Sequence, residues 1–439
     1  MQTQSKFRLL VVRLGAMGDI LHALPAVTAL RQAHPEWVID WVVEPRWRAL
    51  LAAERSEHVD QVLRELPEEH ASGAKARVDS AGLMRGLKPP PPSESSFSVA
   101  CEAAPLQSGR GPAQPVVDRL HLAPSKDWRR APLSPKTIRE IKALRSALRA
   151  GGYDAVLDLQ GAVRSAAVGR LAGCPRLIGE AEPRERMARW LFTERVATRG
   201  AHVIEQDVEL ASAVAGDALA PVAPWLPVDA AAEAWANKIL PPGDLERKQS
   251  DIESHPSDKN PPRRTPRLGH PSSSANHQDA PAVLISPGAG WGAKRWPVER
   301  YAAVAKSLAD RGLRVLVNAG PGEEPLAGAI VQGAGGAAAA LTCSLTQLIA
   351  LTRRIALCIA GDTGPLHLAC ALGRPVVGIY GPTDPSRNGP FGTRFRVLRS
   401  PDSRRDHARR AAPEAGLLTI QPEDVLRAAD EQLAEETAP

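Results

Sequence analysis

The sequence predicts an α/β fold of two halves, each a parallel sheet of the nucleotide-binding type, facing each other across a central cleft. Three observations predict it. A strand, a glycine turn, a helix and a second strand follow one another over residues 7–43. The same alternation restarts at residue 282 and runs to residue 380. A proline- and serine-rich stretch over 241–280 separates the two runs. Strands alternating with helices specify parallel sheets, and such sheets take ligands outside the carboxyl ends of their strands.

Residues 7–12 (FRLLVV) form a buried strand, and RLGAMGD turns into a helix on which Ile20, Leu24, Val27 and Leu30 share one face. His34-Pro35 ends that helix, and residues 37–43 (WVIDWVV) give the next strand. Residues 67–126, with Pro89 to Pro92 in a row and no periodicity, are expected to be a disordered insertion. A helix is expected over 134–149, a strand over 154–159 (DAVLDL), and helices over 163–172, 184–193 and 202–216. The stretch 241–280 is read as a second disordered segment, and its histidines (His255, His270, His277) as solvated linker. In the second half, strand 282–286 (AVLIS) leads through PGAGWGAKRW to a helix that begins at Trp296-Pro297 and stops at Gly312. Strand 313–318, a helix after AGPGEE, a helix over 345–353, strand 355–360, a short helix over 365–372 and strand 375–380 complete the second sheet. The domains are therefore expected at 1–230 and 281–421, with 422–439 a charged helix that packs back on the first.

Composition narrows the class. The 439 residues exceed one ordinary core, and 43% hydrophobic with 24% charged residues describe a folded protein. A net charge of +6 and a pI near 9.2 suit phosphates or an anionic membrane surface. Nucleic-acid binding has only the pI behind it, with no aromatic-basic module. Five widely spaced cysteines (Cys101, Cys174, Cys343, Cys358, Cys370) contain no C-x-x-C pair, which argues against a disulfide framework or a zinc site and fits a reducing cytoplasm. Residues 1–8 run into an apolar strand without a signal-peptide pattern, and no apolar run reaches the roughly 18 residues of a membrane span, so membrane contact is expected to be peripheral.

Four turns carry residues suited to chemistry. In Gly15-Ala16-Met17-Gly18-Asp19, glycine lets the backbone approach a ligand, and Asp19 is either a helix cap or a general base at the cleft mouth. His22, one turn on, either orients that acid or packs. Lys294 in GWGAKRWP precedes a helix and can balance a pyrophosphate, with Arg295 competing for the role and Trp291 and Trp296 packing. GDTGPLHLACALG over 361–373 follows a buried strand. Pro365 suits the first helical position, and Thr363 or Gly364 caps the helix, whose free amides suit a diphosphate. His367 lies in the first turn. In Gly320-Pro321-Gly322-Glu323-Glu324, a carboxylate either accepts from ribose hydroxyls or simply favours the helix start.

Taken together, AMGDILHALPAV at 16–27, DLQG at 158–161, AKRWP at 293–297, GDTGPLHLA at 361–369 and YGPTDP at 380–385 resemble the ADP-heptose:lipopolysaccharide heptosyltransferases, and the MGD-ILH-LP form is most like heptosyltransferase I. The resemblance implies a GT-B fold of two Rossmann-like domains, the acceptor held by the first and the ADP-sugar by the second. It implies inverting, metal-independent transfer of L-glycero-D-manno-heptose from ADP-heptose to Kdo-lipid A at the cytoplasmic face of the inner membrane, with no cofactor. Position by position, Asp19 matches the family's catalytic base and Lys294 the lysine on the nucleotide phosphates. Asp362, Thr363, Gly364 and His367 match the donor turn, and Glu324, with Glu323 as the alternative, the ribose acid. Gly18, His22, Lys126, Arg129 and Arg130 fall on the acceptor side, with Arg184 and His202 as weaker candidates. The loop before Lys294 lacks the hydroxyl residues of that pattern, so Ala289 and Gly290 are expected to offer backbone contacts alone. Cys343 stands where a larger apolar residue touches the adenine.

Overall fold

The computed structural model describes residues 6–52, 98–99, 115–241, 280–405 and 410–434. The first sheet is built on β1 (Arg8–Val12), whose Leu9, Leu10, Val11 and Val12 are fully buried. A strand apolar on both faces belongs at the centre of a covered parallel sheet. β1 indeed pairs in parallel with β2 (Val38–Val43) on one side and β5 (Ala155–Asp158) on the other. β4 (Arg119–Leu122) adds to β2, while β6 (Leu177–Glu180) and β7 (Glu194–Val196) extend the other side, giving the order β4-β2-β1-β5-β6-β7.

The second sheet has the order β10-β9-β8-β11-β12-β13, from β8 (Ala282–Ser286), β9 (Arg314–Ala319), β10 (Ala339–Thr342), β11 (Leu357–Gly361), β12 (Val376–Tyr380) and β13 (Phe395–Arg399). These strands run parallel. A two-residue strand, β3 (Ser98–Val99), pairs antiparallel on the β13 edge. Helices α7 (Val298–Asp310), α8 (Glu324–Gly333), α9 (Leu345–Thr352) and α10 (Gly364–Ala371) connect them.

Helix α1 (Met17–Ala33) departs from the one-faced amphipathic pattern expected of it. Its residues are buried almost all round, Thr28 and Arg31 included. A helix with no solvent face must be covered on several sides. Here the cover is its own sheet, α5 (Val203–Ala215) and, from the second half, α10. One hydrophobic core accordingly runs through both halves, joining Leu9, Leu24 and Leu157 to Leu351, Leu366 and Cys370.

Several sequence expectations change in detail. The insertion expected over 67–126 ends earlier, because β4 lies inside it and buries Leu120 and His121. Its remaining stretches, 67–97 and 100–114, and residues 242–279 of the second one, lie outside the described residues. The helix expected over 184–193 is a 3-10 turn, Arg186–Trp190, because β6 and β7 take the flanking chain and Phe192 packs on Gly179. Helix α6 (Ala230–Ile239) falls between the two expected domains and packs on α9, where Arg353 pairs with Glu233 at 2.6 Å. The last helix, α11 (Pro422–Ala434), does not return to the first half. Its Val425, Ala428 and Ala429 pack against Tyr301 and Val304 of α7 in the second core, and Glu431 pairs with Arg396 at 2.7 Å. No helix among the described residues is long and apolar enough to cross a membrane.

Candidate active site

The carboxyl ends of β1 and β11 face each other, and the helices that follow them touch at their first turns. A side chain on Gly18 would place its Cβ 2.7 Å from the His367 ring, and one on Gly364 would place its Cβ 2.5 Å from the Met17 sulfur. Glycine at both positions is what lets the two helix starts meet.

On the second-half side the sequence-predicted residues form one chain of contacts. Lys294 donates to Asp362 Oδ2, and His367 Nε2 lies 3.2 Å from Asp362 Oδ1. A carboxylate only accepts, so His367 carries its proton on Nε2. Its Nδ1 then lies 3.1 Å from His22 Nε2. With His367 neutral, His22 donates across the boundary between the halves. Burial would raise the Asp362 carboxyl, but the His367 hydrogen bond and the Lys294 charge outweigh it and hold the group far below the usual carboxylate range. Burial and then His367 push the His22 imidazole well down.

Thr363 occupies the N-cap position of α10, yet its hydroxyl donates to the Gly361 carbonyl oxygen at 3.3 Å and caps no helix amide. The first amides of α10 thus keep their capacity for an anion. Lys294 Nζ stands 4.3 Å over the Trp291 ring, whereas Trp296 is buried and donates to Ile420 O at 3.1 Å. Arg295, the competing cation, points out to solvent. Gly290 is exposed with open space beside it. Of the two acids, Glu323 turns back onto the Gly320 amide at 3.1 Å and fills the space beside Gly288, while Glu324 is exposed at the start of α8.

On the first-half side, Asp19 is both a cap and an accessible acid. Its Oδ2 accepts from the Ala16 amide at 2.9 Å, its Oδ1 lies 3.5 Å from Arg13, and the side chain stays 32% exposed. Lys126, Arg129 and Arg130 sit exposed on α2 (Ser125–Arg130), which follows β4. Partial burial and then Arg46 push the Lys126 ammonium down, Glu44 opposes, and Arg164 and Arg129 add to the fall. His22, expected on the acceptor side, is buried against His367 of the second half. His202 is also buried: its Nδ1 accepts from the Ile204 amide at 3.2 Å and its Nε2 donates to Gly389 O at 3.1 Å. Arg184 remains exposed.

Sequence reading passed over the group behind Asp19. Arg13 is 6% exposed, and around it stand the buried carboxyls Asp158 and Asp207. Burial raises Asp158 to about 6, against hydrogen bonds from Ser165 and the Gly161 and Gln160 amides. It raises Asp207 to about 7, against Arg13, while Asp19 adds to the rise. Gln160 Oε1 accepts from the Leu14 amide at 2.8 Å and fixes the turn from below. The available signal was a charged residue closing each apolar strand run, Arg13 after FRLLVV and Asp158 in DAVLDL.

Two parallel sheets whose ends bring the Asp19 turn against the Lys294–Asp362–His367 contacts fit the class of two-domain glycosyltransferases. Comparison with known proteins specifies it further. A model of Glycosyltransferase family 9 (heptosyltransferase) matches residues 141–416, well over half of the chain, and the chain belongs to that family. It shares 26% identity over 398 residues with lipopolysaccharide heptosyltransferase 1 of Escherichia coli (strain K12), covering 90% of this chain and 94% of the relative. With lipopolysaccharide heptosyltransferase 1 of Pseudomonas aeruginosa it shares 25% over 389 residues, covering 88% and 81%. Among solved structures, E. coli heptosyltransferase WaaC with ADP aligns with a TM-score of 0.61 at 24% identity, covering 98% of this chain and all of that one. E. coli ADP-heptose lps heptosyltransferase II aligns at 0.62 and 20%, with the same coverage. These structures share the fold, which is the GT-B fold.

Proposed function

We propose that the chain transfers L-glycero-D-manno-heptose from ADP-heptose to the Kdo sugar of Kdo-lipid A, inverting the anomeric carbon, in lipopolysaccharide inner-core synthesis. The observation that carries this reading is the contact of the two helix starts. It sets the Asp19 turn one residue away from the Lys294–Asp362–His367 chain. The relatives named heptosyltransferase 1 supply the substrate class.

In this reading Asp19 takes the proton of the attacking Kdo hydroxyl as that oxygen bonds to the anomeric carbon. The bond from that carbon to the diphosphate oxygen breaks, and ADP leaves with the electron pair. The transition state is oxocarbenium-like, as in glycoside cleavage. Charge grows on the leaving diphosphate, and Lys294 and the uncapped start of α10 at Thr363-Gly364 stabilise it. Those groups take the role a metal ion would otherwise fill. Asp362 and His367 orient Lys294. Glu324 binds the ribose hydroxyls, with Glu323 as the alternative, and the Gly290 backbone lies against the nucleotide. The acceptor is anionic through its phosphates and Kdo carboxylates. The cluster of Lys126, Arg129 and Arg130, together with Arg46 and Arg164, supplies the complementary charge. The acceptor's lipid places the enzyme peripherally at the cytoplasmic face of the inner membrane.

The test is product formation from ADP-heptose and Kdo-lipid A, with the Asp19→Ala variant alongside. Turnover is expected to vanish in the variant while ADP still binds. An Asp19→Ala enzyme that works at the native rate would remove the base from the mechanism. A panel of ADP-, UDP- and GDP-sugars, and of acceptors with and without a first heptose, separates this reaction from that of a heptosyltransferase 2.

A further inference from the structure

We propose that the rim formed by the starts of α3 (Pro135–Ala150) and α4 (Val163–Leu171) and by the turn Arg186–Trp190 docks on an anionic lipid surface. The inference rests on the lipid-acceptor reading and adds to it the side of the molecule that meets the membrane.

The first ground is exposure. Seven large hydrophobic side chains are exposed among the described residues, and five of them lie on this rim: Leu133 at 86%, Trp190 at 76%, Met187 at 73%, Ile138 at 42% and Val163 at 37%. Single exposed hydrophobics are ordinary. Five on the one layer of helices over a single face of the sheet are not. Met187 and Trp190 are three residues apart in a 3-10 turn, where side chains at that spacing point the same way. Ala188, between them, is the buried side of the turn.

The second ground is placement. α3, α4 and the turn cover one face of the first sheet and share its core, through Leu144, Leu148, Ala166, Val168, Ala188 and Phe192. α3 touches α4, and α4 touches the turn, where the Val163 amide donates to Glu185 at 2.9 Å. Each segment begins after a parallel strand, β4, β5 or β6, so all three starts emerge at the carboxyl edge of the sheet. That is the edge on which the Asp19 turn opens.

The third ground is charge. Within residues 125–139 five basic side chains stand against a single acid, Asp127, which Arg130 already pairs at 3.5 Å. Arg186 and Arg189 alternate with the apolar residues of the turn, and the Arg189 guanidinium lies 5.6 Å over the Trp190 ring. Indole at headgroup depth beside guanidinium on lipid phosphate is the chemistry of an interfacial anchor. A second copy of the chain would set like charges against each other, so a self-paired interface fits this rim poorly.

The experiment sediments the full chain with vesicles of phosphatidylcholine alone and of phosphatidylcholine with phosphatidylglycerol. Binding is expected to the anionic vesicles, weakening as salt is raised. The Met187→Ser/Trp190→Ser variant should lose about a hundredfold in that affinity, the effect of leaving two apolar side chains without lipid. Its melting temperature, and its transfer rate to a deacylated, soluble acceptor, should match the parent. Unchanged vesicle binding in the variant overturns the proposal. So does a concentration-dependent dimer of the parent that the variant abolishes, because the rim would then be a protein interface. If the parent binds vesicles through these residues yet transfers no heptose to the soluble acceptor, the docking surface stands and the reaction assigned above fails.

Discussion

The two turns that meet at the cleft hold their carboxylates in opposite ways. Asp362 has a partner on each oxygen, Lys294 on one and His367 on the other, and stays ionised far below neutral pH. Asp19 has a backbone amide on one oxygen and only a long contact to Arg13 on the other, with a third of its side chain open. The acids behind it, Asp158 and Asp207, are raised to about 6 and about 7 by burial. A carboxylate saturated with donors is a fixed charge that orients its neighbours. One left partly open can receive a proton from a substrate. In the proposed reaction the difference suits the Asp362 turn to electrostatic support and the Asp19 turn to proton transfer.

The largest effect after loss of Asp19 is expected from breaking the donor-side chain. In the proposed reaction Lys294 stabilises the leaving diphosphate, so Lys294→Ala should cost about a hundredfold in kcat, the usual consequence of losing one preorganised donor. It also leaves Asp362 buried with one oxygen unpaired. Steady-state kinetics decide whether the lysine acts in the transition state. A loss confined to KM for the donor would make it a ground-state contact only.

A smaller effect is expected on the other side. Arg13 is buried behind Asp19 and contacts it at 3.5 Å, so in the proposed reaction it acts by positioning Asp19. Arg13→Ala should lower kcat about tenfold through misplacement of Asp19 and leave ADP affinity unchanged, while Arg13→Lys should recover part of the rate. An unaffected kcat in Arg13→Ala would mean that the Ala16 amide suffices to hold Asp19. His22→Asn removes the bond between the halves and should lower kcat less than Arg13→Ala, because the glycine contacts at Gly18 and Gly364 remain.

How much of this was legible in sequence follows from locality. β1, β8 and β11 read directly, because uninterrupted apolar runs end in glycine turns. The strand and helix around Asp362 also read locally, since strand end, Thr363 and Pro365 lie within one short segment, but the contacts of Asp362 with Lys294 and His367 did not. β4 did not read: RLHL is four residues long and sits at the end of a proline-rich stretch, and its buried His121 is held by Tyr153, just before β5, which in turn donates to Asp40 of β2. His22 was placed with the acceptor because it is one turn from Asp19, but its partner lies 345 residues away. Asp207 gave no local sign, being one of three acids at alternate positions 205, 207 and 209 on α5. Only the packing of α5 on α1 turns that one inward.

The smallest effect tests the comparison through stability, where the buried acids behind Asp19 and the buried histidines beside them respond to pH in opposite directions. An unfolded carboxyl titrates near 4. Asp207, held up to about 7 in the folded chain, keeps its proton while the unfolded chain has already lost it, so its contribution to stability falls as pH rises from about 4 to about 7. Asp158 acts likewise up to about 6. The histidines between the halves do the reverse. An unfolded imidazole takes its proton near 6.5. Burial lowers His202 to about 4, and burial with His367 lowers His22 well below its ordinary value, so stability drops as pH falls below about 6.5. Asp207→Asn should therefore raise the melting temperature by a few degrees near pH 8 and change it little near pH 4. If the attraction between Arg13 and the Asp207 carboxylate outweighs burial, the same variant melts lower near pH 8. That outcome would make Asp207 a partner of Arg13 comparable to the fully paired Asp362, and the contrast between the two turns would narrow to Asp19 alone.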